Sequence, residues 1–157
     1  MSRSSVLIIV GSESDLEIME ESRVTLERFG VASELVVASA HREPEKVKEL
    51  AEGTEQGRAD LVIAGAGMAA HLAGVVAAHA TVPVIGVPLS TEPFGALDSL
   101  LSTVQMPKGI PVATVSAGRT GATNAAVLAA EILSLKDESL KPKLREYRKE
   151  LRSNTRK

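Results

Sequence analysis

An α/β sandwich built on a parallel sheet is the fold class that this 157-residue sequence predicts. Short aliphatic runs alternate with longer segments of helical character, and the alternation repeats about five times. The runs are aliphatic throughout and do not switch between apolar and polar, as expected where helices cover both faces of a sheet. Five strands are too few for a closed barrel of eight βα units, so a flavodoxin-like, doubly wound three-layer sandwich is predicted.

In chain order, Val6–Val10 is a strand ending at Gly11, and residues 14–29 are an amphipathic helix carrying Leu16, Met19, Val24, Leu26 and Phe29. Glu34–Ala38 is the second strand, and residues 44–56 form a polar helix that turns Val47, Leu50 and Ala51 inward. Asp60–Ala64 is the third strand, followed by an Ala-rich helix near 69–79. Pro83–Val87 is the fourth strand, 96–104 a short helix and Pro111–Val115 the fifth strand. Helices near 121–134 and 138–152 finish the chain. On the last, Leu140, Leu144, Tyr147 and Leu151 form one apolar stripe on a charged helix, suited to covering its own domain or docking on a neighbouring subunit. The length supports a single domain over residues 1–157, with a core of about 5–134 and this helix added to it.

Composition removes several classes of function. The chain is 44% hydrophobic and 24% charged, the balance of a globular protein, but only 2% aromatic. Phe29, Phe94 and Tyr147 are too few rings to stack nucleic-acid bases, and a net charge of −2 sets up no field that recruits polyanions. With no cysteine there is no disulfide, thiolate nucleophile or zinc–thiolate site, and no His–carboxylate cluster has metal spacing. No apolar run approaches the ~18 residues of a membrane span, and the first run is too short for a signal-peptide core. A cytoplasmic protein with no metal, nucleic-acid or membrane partner is predicted.

Ligands of doubly wound sheets bind beyond the carboxyl ends of the strands, near the point where strand order reverses. With strands in the order 2-1-3-4-5, three loops converge there. The first is Gly11-Ser12-Glu13-Ser14-Asp15, whose Ser12 and Ser14 suit a phosphate at a helix N-terminus. Ser14-x-x-Glu17 equally suits a capping box, and Asp15 suits ribose hydroxyls better than phosphate. The second loop is Ser39-Ala40-His41-Arg42-Glu43-Pro44. Here a histidine able to give and take protons near neutral pH stands beside a guanidinium fork suited to phosphate or carboxylate. The third is Gly65-Ala66-Gly67-Met68-Ala69-Ala70-His71, where the glycines allow close backbone approach or tight helix packing. His71 has a supporting role beside this site, and His79 is an ordinary surface or core histidine. Leu97–Pro111 mixes polar and apolar residues in a way no plain connection needs, while Gly118-Arg119-Thr120-Gly121 reads as a turn into a helix.

Taken together, Gly11-Ser12-x-Ser14-Asp15, Ser39-Ala40-His41-Arg42-x-Pro44, Ala64-Gly65-Ala66-Gly67-x-Ala69-Ala70-His71-Leu72, Val84–Pro88 and Leu97–Val112 closely resemble the N5-carboxyaminoimidazole ribonucleotide mutase (PurE) family over about residues 6–134. The resemblance implies conversion of N5-carboxyaminoimidazole ribonucleotide (N5-CAIR) to 4-carboxyaminoimidazole ribonucleotide (CAIR) in purine synthesis, without a cofactor, by a homo-octamer of flavodoxin-like subunits. It assigns acid–base catalysis to His41, substrate binding to Ser12, Asp15 and Arg42, and phosphate binding to Ser14 and Ser39. Ala40 would bind substrate from the same loop, and Ala66, Gly67 and Leu72 would border the carboxylate pocket. Three features depart from the family pattern: Met68 replaces a common third glycine and narrows the pocket mouth, Ala73 replaces a common proline, and Ser90–Gly95 is atypical. Carboxylases that use free CO2 typically carry lysine after the histidine, so Arg42 favours the mutase. Competing readings are such a carboxylase, a non-catalytic nucleotide-binding domain of this fold and, against the scarcity of rings, a flavoprotein.

Overall fold

A computed structural model describes residues 5–154. Five parallel strands form one sheet: β1 (Ser5–Val10), β2 (Ala32–Val37), β3 (Leu61–Ala66), β4 (Val84–Pro88) and β5 (Ala113–Thr114), in the order β2-β1-β3-β4-β5. The helices are α1 (Leu16–Phe29), α2 (Pro44–Glu52), α3 (Leu72–His79), α4 (Leu97–Val104), α5 (Gly118–Leu133) and α6 (Leu140–Asn154). The molecule is therefore the flavodoxin-like three-layer sandwich that the sequence predicts, with an added C-terminal helix.

The period-two geometry of a strand divides β1 between two cores. Val6, Ile8 and Val10 pack with Met19, Leu26 and Phe29 of α1 and with the alanines of α5. Leu7 and Ile9 face the other way, onto Val47 and Leu50 of α2 and Leu72 and Val76 of α3. Both sets are buried, which is why the central strands contain no polar alternation. α6 lays Leu140, Leu144 and Tyr147 onto the α1–α5 layer of its own chain. Tyr147 meets Phe29 edge-on at 5.4 Å between ring centroids, and Arg28 lies over the Tyr147 ring at 4.9 Å.

The boundaries move where local chemistry overrides periodicity. β2 starts two residues early, at Ala32, because every residue from Ser5 to Val10 finds a partner along Ala32–Val37. β3 runs on to Ala66, since β4 offers partners as far as Pro88. β5 shrinks to two residues: Pro111 has no N–H to give a ladder, and only Ala113 and Thr114 pair with β4. α5 begins at Gly118, so the glycine-rich stretch 118–121 is the first turn of a helix and not a loop before it. No helix among the described residues is long and apolar enough to cross a membrane.

Candidate active site

Because all five strands run the same way, the loops after β1, β2, β3 and β4 emerge at one edge of the sheet. They enclose a cleft of about 480 Å³ lined by Gly11, Ser12, Ser14, Asp15, Ser39, Ala40, His41, Arg42, Ala66, Gly67, Met68, Ala69, His71, Leu72 and Thr91. This size suits a small-molecule ligand. Every site residue predicted from the sequence lines this one cleft.

Gly11 leads into a short 3-10 turn, Glu13–Asp15, that precedes α1. Ser12 caps that turn: its hydroxyl accepts from the Ser14 N–H at 3.4 Å and from the Ser14 hydroxyl at 3.0 Å. The expected Ser14–Glu17 capping box does not form. The 3-10 turn has already used Ser14, and Glu17 reaches instead to Arg119 on α5. The Asp15 carboxyl is half-buried at the cleft wall. Burial raises it above the ordinary carboxylate range, opposed by hydrogen bonds from the Ser14 hydroxyl and the Ser12 backbone.

The loop after β2 is braced from inside. The buried Ser39 hydroxyl accepts the Arg42 N–H at 3.3 Å, and the Ser39 N–H reaches Glu43 Oε2 at 3.4 Å. Pro44 opens α2 at a position where no N–H is needed. Lys46, together with the Ser39 N–H, holds the Glu43 carboxyl below its ordinary range. Arg42 Nη2 donates to Gly11 O at 3.1 Å, so the guanidinium bridges the loops after β2 and β1. A neighbouring recess shares Gly11, Ser12 and Arg42 but adds Glu13 and Glu43, whose charges make it the poorer seat for an anion.

The loop after β3 brings His71 to the mouth of the cleft, immediately before α3. His41 Nε2 and His71 Nδ1 are 2.7 Å apart, and the rings meet edge-on at 4.8 Å. One imidazole must donate and the other accept, and which does so depends on the tautomers. A neutral pair can therefore hold one shared hydrogen bond. Gly67 stands against Thr91, and a Cβ there would lie 2.7 Å from Thr91 Cγ2, so no larger residue fits without displacing that side chain. Met68 takes φ 56°, the left-handed region that favours glycine, with its side chain largely exposed at the cleft. The backbone thus explains the glycine common at this position in the resembling family.

Four lining residues were not singled out as site residues from the sequence: Gly11, Met68, Ala69 and Thr91. Thr91 is the informative one. It follows β4, whose loop lies beside the loop after β3, and its buried hydroxyl has no hydrogen-bond partner among the described residues. Its signal lay in the atypical Ser90–Gly95 stretch, but a lone threonine in a loop carries no pattern. His79 sits away from the cleft on α3, 3.7 Å from Glu52, as an ordinary partly exposed histidine.

Residues 5–154 match the family described as AIR carboxylase. The chain belongs to this family. Within the AIR carboxylase family its similarity runs to proteins named N5-carboxyaminoimidazole ribonucleotide mutase. That of Pyrococcus abyssi is 54% identical over 92% of this chain and 82% of its own. The Methanocaldococcus jannaschii protein is 54% identical over 94% and 90%, and the Bacillus subtilis protein 51% identical over 90% and 87%. A crystal structure of Treponema denticola PurE superposes with a TM-score of 0.88 at 30% identity, covering 98% of this chain and 94% of that one.

Proposed function

We propose that this chain is an isomerase of purine biosynthesis that converts N5-CAIR to CAIR, with His41 as its acid and base. The observation that carries the reading is the meeting of His41 and His71 in a cleft whose other wall bears hydroxyls, a carboxyl and a guanidinium. Relatives at about half identity over nine-tenths of the chain carry the mutase name.

The ribose phosphate lies over the loops after β1 and β2, where Ser12, Ser14, Ser39 and Arg42 supply donors. Asp15 accepts from the ribose hydroxyls. The imidazole ring of the substrate then points toward Ala40, Ala66, Gly67 and Leu72, where water is excluded by small apolar surfaces. His41 in its protonated form gives its proton to the carboxylated nitrogen. The N–C bond breaks, its electron pair stays on nitrogen, and CO2 is released inside the pocket. The aminoimidazole is an enamine, and its C4 attacks the same CO2, whose displaced π pair becomes the new carboxylate. C4 still carries its hydrogen, which neutral His41 removes. The proton given is thus recovered, and no net reactant is consumed. Keeping CO2 beside C4 replaces a bimolecular encounter with an effectively intramolecular one. His71 steadies the ring of His41 through the bond between them.

The working unit is a homo-octamer in the cytoplasm. The octamer follows from the family resemblance, and the exposed apolar face of α4 (Leu97, Leu100, Leu101 and Val104) is surface available for contact between subunits. Purified protein should turn over N5-CAIR without added bicarbonate or ATP. His41→Asn should keep its fold and its affinity for the nucleotide but lose at least about a thousandfold in kcat. Activity of that variant within about tenfold of the parent would remove His41 from the chemistry. Turnover that starts from the uncarboxylated aminoimidazole ribonucleotide and requires bicarbonate would make the chain a carboxylase.

A further inference from the structure

The polar residues on the inward side of α4 are unusual for a short helix packed on a sheet. Ser99 and Thr103 are buried, and Ser102 is half-buried beside them, at the three- and four-residue spacing of one helical face. Thr103 bonds within its own helix, to Ser99 O at 2.7 Å. The two serines do more. Ser99 Oγ donates to Leu89 O at 2.8 Å, at the start of the loop that carries Thr91. Ser102 Oγ accepts the Ala70 N–H at 3.0 Å, across 32 residues of chain, while its own proton is directed to Asp98 O at 2.8 Å.

We propose that Ser102 is a positioning residue: it holds the loop after β3 in place so that His71 meets His41, and it rests on the mutase reading given above. Ala70 is the residue before His71, and it is buried. Ala70 stands just before His71, the N-cap of α3, so its N–H lies outside the hydrogen-bond ladder of that helix. Ser102, on a different helix, supplies the acceptor it needs. The segment it pins also contains Met68 in the left-handed region, a conformation that persists only where its surroundings impose it. With the Ser102 acceptor gone, Ala70 N–H is left buried and unpaired, and the loop gains a reason to relax. Ala66 stays tied by the Leu89 N–H, which donates to Ala66 O at 2.9 Å, so the displacement falls on the segment from Met68 to His71.

The test compares Ser102→Ala, Ser102→Thr and Thr103→Val with the parent, using N5-CAIR turnover, loss of labelled CO2 from substrate to bulk, and amide hydrogen exchange at Ala70. Ser102→Ala should lower kcat at least about tenfold, since small displacements of reacting groups are that costly. Its KM should stay within about threefold of the parent, because the phosphate donors lie on other loops. It should also leak more CO2 and exchange the Ala70 amide faster. Ser102→Thr keeps a hydroxyl there and should restore kcat to within about threefold, while Thr103→Val, which loses only a bond internal to the helix, should keep parental values. A Ser102→Ala enzyme within about twofold of parental kcat would overturn the proposal, as would an equal loss in Thr103→Val. Should Ser102→Ala fail to fold, Ser102→Cys, of similar size but a weak acceptor, takes its place under the same criteria. An Ala70 amide that exchanges freely in the parent overturns the positioning role whatever the substrate. A parent that folds, protects Ala70 and does not isomerise N5-CAIR overturns the mutase reading, and with it the catalytic purpose of the brace.

Discussion

At the scale of single residues, Asp15 shows the conflict between binding and stability. Its carboxyl is drawn into the cleft wall, and burial raises it more than its hydrogen bonds lower it. The folded state therefore binds this proton more tightly than the unfolded state does. The resulting penalty is absent below the ordinary carboxylate range and complete once the pH has risen through the folded value. Asp15→Asn should thus raise Tm at pH 7, by about 1–2 °C after allowing for solvent screening at a half-exposed group. The gain should disappear when the melt is repeated near pH 3, and nucleotide affinity should fall at neutral pH. An unchanged or lower Tm at pH 7 would show that the hydrogen bonds from Ser12 and Ser14 outweigh burial. His41, Arg42 and Asp15 were legible in the sequence because a reactive side chain at a strand end is conspicuous. The bond between His41 and His71 was not, since it joins loops that are 30 residues apart.

At the scale of elements, α5 illustrates what periodicity misses. The stretch Gly118–Gly121 looks like a turn because two glycines flank two polar residues, yet the helix already runs through it. Gly121 is there for space: a Cβ would fall 1.6 Å from Ser116 O, an overlap that no side-chain rotation relieves. Gly121→Ala should therefore cost about 3 kcal/mol or more and lower Tm by about 6–12 °C, measurable by calorimetry. A drop below about 2 °C would mean that the backbone around Ser116 shifts cheaply. The polar face of α4 was likewise noticed as a departure from a plain connection. Its meaning waited on knowing that Ala70 and Leu89 lie against it.

At the scale of the whole molecule, the order β2-β1-β3-β4-β5 with all strands parallel assembles the site. The sheet was legible because central strands covered on both faces must be aliphatic at every position. The fifth strand was legible only in place, since its length is decided by Pro111 and by what β4 leaves unpaired. The outside of the molecule is less easily read. Leu97, Leu101 and Val104 are 59%, 56% and 48% exposed along one helix, next to Phe94 at 67%. With the octamer proposed above, light scattering should give the mass of eight subunits. Leu101→Glu should lower that mass while leaving the circular dichroism of the subunit intact. A parent that runs as a monomer would leave this apolar face without the role proposed for it.

The docking of Tyr147 against Phe29 and Arg28 has a practical consequence for anyone who follows this protein by light. The chain has one tyrosine and no tryptophan. Its near-ultraviolet absorption and intrinsic fluorescence therefore come mostly from one ring on α6, across the sheet's α1–α5 layer. An optical melt will report the detachment of that C-terminal helix, and the cleft could loosen without changing the signal. The two imidazoles that meet at its mouth offer the complementary probe, because their ring protons resonate apart from the rest and sense whether the loops after β2 and β3 are joined.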